Sequence, residues 1–121
     1  MSVQENAVVT VSYESGKLVL SDNEGNPFDP NNPEGFTTKV KPNGKAGWKA
    51  GIGISSLPLI KVDSGDELFK KLPFEKDGVW ESKIDNKQSG EAKYSITYIV
   101  DGSTEQVTID PVLKIQGPSA G

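Results

Sequence analysis

The chain has 121 residues, 34% of them hydrophobic and 25% charged, with a net charge of −4 and a pI near 4.8. That length suits one domain with one core, residues 1–121. An acidic chain with no basic run lacks the clustered cations that nucleic acid requires. It also has no basic amphipathic stretch for a membrane surface, and no apolar run approaches the ~20 residues of a membrane span.

The elements, in chain order, are short strands. Residues 1–6 show no basic segment followed by a long apolar one, so no secretory signal is expected and cytosolic residence is the default expectation. Over residues 7–13, Val9, Val11 and Tyr13 share one face and Thr10 and Ser12 the other, the two-residue period of a half-buried strand. Ser15-Gly16 turns the chain, and Leu18, Val19 and Leu20 return as a hairpin. Residues 21–35, SDNEGNPFDPNNPEG, form a long polar loop in which Phe28 is the apolar anchor. Phe36, Thr38 and Val40 alternate as a strand, Pro42-Asn43-Gly44 predicts a turn, and Trp48 points inward from the next strand. Gly51-Ile52-Gly53-Ile54 is ambiguous between loop and strand.

Residues 57–62 read as a strand entered through Pro58. Ser64 or Asp66 can cap a helix over residues 66–72, with acids leading, lysines trailing and Pro73 as the stop. Residues 79–84 alternate again, with Trp80, Ser82 and Ile84 on one side. Tyr94, Ile96, Tyr98 and Val100 then recur every second residue. Asp101-Gly102 breaks that run and Val107 and Ile109 resume it. Asp110-Pro111 interrupts the ladder, because proline has no N–H to donate, and Val112, Leu113 and Ile115 close the chain. The total is seven or eight strands with one short helix. The expected fold is all-β, an antiparallel Greek-key β-sandwich.

This order resembles the cupredoxin-like β-sandwich. The residues that carry the resemblance are the Pro42-Asn43-Gly44 turn, the strand bearing Trp48, the helical insertion and the Tyr-x-Ile-x-Tyr strand. In that family copper is held by His, Cys and usually Met around the last loop. Residues 100–107 contain none of these and the one Met is Met1, so the resemblance implies a fold and no copper site. The finish, with Tyr94, Tyr98 and Asp110-Pro111-Val112, also resembles bacterial inclusion-body proteins of the AidA/PixA type.

The chemistry on offer is sparse. There are no cysteines and no histidines. Disulfides, thiolate sites and thiol nucleophiles are therefore excluded, as is the side chain that titrates near neutral pH. Asp22, Glu24 and Asn26 alternate like calcium ligands. Pro27 then takes the place of the required glycine and Pro33 that of the bidentate glutamate. Asp22, Glu24 and Asp29 are left as candidates for a weak ion only. Gly51-x-Gly53 lacks the third glycine and the following helix of a dinucleotide fingerprint, and Gly44-Lys45 lacks the frame of a phosphate loop. Paired carboxylates are the remaining acid/base option. Asp110 stands alone in an apolar context, where a hydrogen-bonded turn before proline accounts for it. Trp48 and Trp80 are candidates for a sugar-stacking face, with core packing as the simpler role.

The expected function is a non-catalytic binding or assembly module with no cofactor and no metal, meeting a protein partner or further copies of itself. A carbohydrate-binding module using Trp48 and Trp80 is the alternative. Nucleic acid and membrane insertion are not expected.

Overall fold

A computed structural model describes residues 4–23, 28, 36–86 and 89–116. Nine strands account for most of them: β1 (Gln4–Glu14), β2 (Lys17–Asp22), β3 (Thr37–Ala50), β4 (Ile54–Ser64), β5 (Phe69–Lys76), β6 (Val79–Ile84), β7 (Ser89–Val100), β8 (Gln106–Ile109) and β9 (Val112–Gln116). They form one curled sheet in the order β2-β1-β3-β9-β7-β4, with β6 and β5 branching from β3 and β8 from β7. The all-β class stands. The arrangement is mixed rather than antiparallel, since β3 runs parallel to both β1 and β9.

β3 is the strand that joins everything. Residues 37–40 pair with β9, residues 45–48 pair with β6, and β1 lies along the opposite edge. Pro42-Asn43-Gly44, expected as a turn between two strands, instead lies inside β3 as a bulge. The step from Gln4 to Asn6 on β1 matches the step from Val40 to Lys45 on β3. Asn43 takes φ 63 there, a left-handed conformation that asparagine tolerates better than most residues. Its N–H donates to Asp85 O at 3.1 Å.

The helix expected over residues 66–72 is also absent. Asp66–Leu68 makes a single 3-10 turn, and the chain then enters β5, where Phe69 pairs with Ile84 and Lys71 with Lys83. A two-turn helix is marginal on its own. Burying Leu68 and Phe69 in succession and pairing with β6 outweigh the cap-like sequence. Two features that carried the cupredoxin resemblance, the turn and the helical insertion, are thus missing.

The alternation read from the sequence sets the core. Val9, Val11, Trp48, Ile84, Ala92, Tyr94, Ile96, Leu113 and Ile115 are all buried in one cluster. Phe28 packs edge-on against Phe36, with centroids 5.9 Å apart. Trp48 and Tyr94 meet at 5.2 Å and 58°, bringing β3 onto β7. Neither Trp48 Nε1 nor Tyr94 Oη has a hydrogen-bond partner of normal geometry among the described residues. Burial pushes the Tyr94 hydroxyl well above the usual tyrosine range; the nearby indole N–H offsets this in part and the charge of Asp22 adds to it.

Both faces of β7 are covered near its middle. Ile96 and Tyr98 are buried, and so is Thr97 between them, whose Oγ1 lies 3.0 Å from Thr108 Oγ1. Ile96→Ala should cost about 2–5 kcal/mol through lost burial and the cavity left. Thr97→Ala should cost about 1 kcal/mol, one hydrogen bond. Denaturant melts measure both, and equal costs would contradict this division. Burial also pushes the Tyr98 hydroxyl above the usual tyrosine pKa, with the charge of Tyr13 adding to it. Unfolded tyrosines lose their protons near pH ~10 while the folded chain keeps them. The folded state therefore binds more protons above that pH, and stability should fall as pH rises. Tyr94→Phe should flatten that fall in alkaline melts, and an unchanged slope would count against it.

Candidate functional site

The two tryptophans do not form a sugar platform. Trp48 sits on β3 with 0% exposure, so it has no face for a ring to stack on. Trp80, opposite it on β6, is half-buried, and its Nε1 donates to Leu57 O at 2.8 Å. β4 and β5 are both edge strands, each paired on one side only. They approach one another where the sheet curls round. The Trp80 indole satisfies a β4 carbonyl at that seam, where no ladder bond does. A groove of about 450 Å³ runs along the seam, with Leu59 and Leu72 among its lining residues.

Asp22, the first of the candidate ion ligands, accepts from the buried Thr38 Oγ1 at 3.1 Å, which ties the end of β2 to β3. Glu24 and Asp29 lie outside the described residues. Among the described residues there is no group of three or more side chains suited to hold a metal ion.

The main polar cluster is one that sequence reasoning did not assemble. Ser95 on β7 donates from Oγ to Asp110 Oδ1 at 2.7 Å and also contacts Asp63 Oδ2 of β4. These residues, with Lys93 and Val112, line an open groove of about 660 Å³. Asp110 does hold a hydrogen bond before its proline, but to a side chain on a neighbouring strand. One signal for the cluster was available: Ser95 lies on the face opposite Tyr94 and Ile96. Its partners come from long-range pairing that no local pattern reveals. A serine hydroxyl carries one proton and serves one carboxylate at a time. Both neighbours are acceptors, and neither is the imidazole or amine base that activates a serine.

A second surface also escaped the sequence. On the outer side of the sheet, Lys45 of β3 stands opposite Lys83 of β6, and Lys83 stands opposite Lys71 of β5. The chain shows no basic run, yet strand pairing lines these lysines up in a row.

No family model matches the chain, and no curated protein matches it. Among solved structures it is similar to the inclusion body protein PixA from Burkholderia cenocepacia, at 10% identity over 98% of each chain with a TM-score of 0.49. No helix among the described residues is long and apolar enough to cross a membrane.

The roles assigned to the two indoles predict a contrast. Trp80→Phe keeps the ring and leaves the Leu57 carbonyl unpaired, at a cost of about 1 kcal/mol. Trp48→Ala empties the core and should cost about 3–5 kcal/mol. Chemical denaturation measures both, and a larger loss at Trp80→Phe would contradict the assignment.

Proposed function

We propose that the protein is a non-catalytic assembly module, acting through contact between copies of itself. The observation that carries this reading is the set of apolar side chains held in solvent: Ile52 is 71% exposed, Leu72 51%, Leu59 45% and Val79 40%. They sit on strands and a tight turn whose backbone is already hydrogen-bonded, so little order is lost when they are covered.

The free strand edges support contact through side chains rather than ladder extension. β4 carries Pro58 and Lys61, and β5 carries Pro73 with Lys70, Lys71 and Lys76. Proline and lysine on an edge are the usual guards against strand addition. A catalytic reading finds less support. Ser95 faces two carboxylates, and the chain has no histidine or cysteine. The carbohydrate reading loses its platform with Trp48 in the core.

Sedimentation velocity over a concentration series tests the proposal. The weight-average mass should rise above the 13.0 kDa of one chain as concentration increases. A mass that stays at one chain throughout would overturn it.

A further inference from the structure

Two surfaces that the fold does not use each pair an apolar feature with charge, and the balance of charge is opposite on the two. The first is the turn at Gly51–Ile52–Gly53. Its backbone is pinned on both sides: Gly51 N–H donates to Val11 O at 2.6 Å, Tyr13 N–H to Ile52 O at 2.7 Å, and Asp101 N–H to Gly53 O at 2.9 Å. Gly51 is crowded: a Cβ there would lie 2.3 Å from Ser12 Oγ and 2.7 Å from Thr10 Cγ2, so both side chains would have to shift. Gly53 is required because φ is +79 and a Cβ would lie 2.0 Å from Tyr13 O. A rigid turn therefore holds Ile52 outward, 71% exposed. The same end of the molecule carries three exposed acids, Glu14 at the close of β1 and Asp101 and Glu105 in the β7–β8 loop, against one exposed lysine, Lys17, opposite Glu14 on β2.

The second surface is the outer face of β1, β3, β6 and β5. Gly47 has no side chain, and a hollow of about 200 Å³ lies over it, its apolar lining from Val8, Ala46, Val79 and Trp80 and its polar rim from Asn6, Lys45 and Glu81. Lysines surround the hollow. Lys45, Lys83 and Lys71 form one row across three strands, and Val79 stands between Lys76 on β5 and the Lys49 end of β3. Adjacent strands are ~4.8 Å apart, and like charges placed directly opposite destabilise a sheet. Two acids of these strands share this face: Glu81, directly opposite Gly47, and Glu14 at the far end of β1. None of Lys45, Lys49, Lys76 and Lys83 has an ion-pair partner among the described residues. An acidic chain thus gathers five lysines around the hollow, with Glu81 among them and Lys71 lying over the Phe74 ring at 4.3 Å.

We propose that Ile52 of one copy seats in the hollow over Gly47 of the next, with Glu14, Asp101 and Glu105 set against the lysine collar. This rests on the assembly reading above and names its interface. Knob and hollow are different surfaces of one chain. The contact is therefore head-to-tail, and it grows into open chains or rings rather than a closed two-fold dimer. Exposed charges drive part of it, so added salt weakens it.

The test uses Ile52→Ser, which removes the knob, and Lys45→Glu/Lys83→Glu, which reverses the collar. All three positions are solvent-facing, and thermal melts confirm that the variants fold. In sedimentation velocity at low salt each variant should associate about tenfold or more weakly than the unaltered chain. Mixing the two variants joins one intact knob to one intact hollow. The mixture should give a two-chain species that neither variant forms alone and that does not grow further. If the unaltered chain stays monomeric, the assembly reading fails and this inference with it. If it associates but both variants associate equally well, the inference is overturned and assembly through another surface stands.

Discussion

The structure depends on β3 changing partners partway along its length. Along one edge β3 holds β9 first and β6 second, and along the other it holds β1. The bulge at Pro42-Asn43-Gly44 lets residues 37–40 hold β9 and residues 45–48 hold β6. Proline has no N–H to give to a ladder, and Asn43 accepts the left-handed φ that the bend imposes. Because of that switch, Trp48 reaches the core against Tyr94 and the sheet curls until β6 meets β4.

The same strand serves three surfaces by the two-residue period. Val40, Ala46 and Trp48 face the core. Lys45, Gly47 and Lys49 face outward, supplying the lysines and the floor of the hollow. Past Ala50 the chain enters the pinned turn that presents Ile52. Core, hollow and knob are therefore fixed to one another through a short stretch of backbone. Curling is completed at the β4–β5 seam without a ladder, where the Trp80 indole occupies the Leu57 carbonyl.

Much of this was legible because alternation is a local signal. The inward sets on β1, β6 and β7 follow directly from Val9/Val11, Ser82/Ile84 and Tyr94/Ile96. The turns at Ser15-Gly16 and Asp101-Gly102 follow from glycine. What failed was what depends on distant partners. Asp66-Glu67-Leu68 looks like a helix start, yet β6 pairing draws the chain into β5. Pro42-Asn43-Gly44 looks like a turn, and only β1 and β9 on either side reveal it as a bulge. Trp48 and Trp80 look alike in sequence. Opposite fates follow, one in the core and one at the seam, set by which strand lies above each. The lysine row was invisible because Lys45, Lys71 and Lys83 are far apart in the chain, and strand register alone unites them. The Asp63–Ser95–Asp110 cluster was hidden for the same reason.

The central claim is that the Ile52 turn of one copy meets the hollow of another. The chain has no cysteine, so single thiols report this contact without background. Thr104→Cys beside the knob and Asn6→Cys on the rim of the hollow leave Ile52 and Val79 intact. The two chains, mixed and oxidised mildly, should give a disulfide-linked pair, since the proposed seating sets the two surfaces against each other. Thr104→Cys alone should not cross-link to itself, because knobs do not meet knobs. Equal cross-linking in that single-variant control, or none in the mixture, would contradict the account.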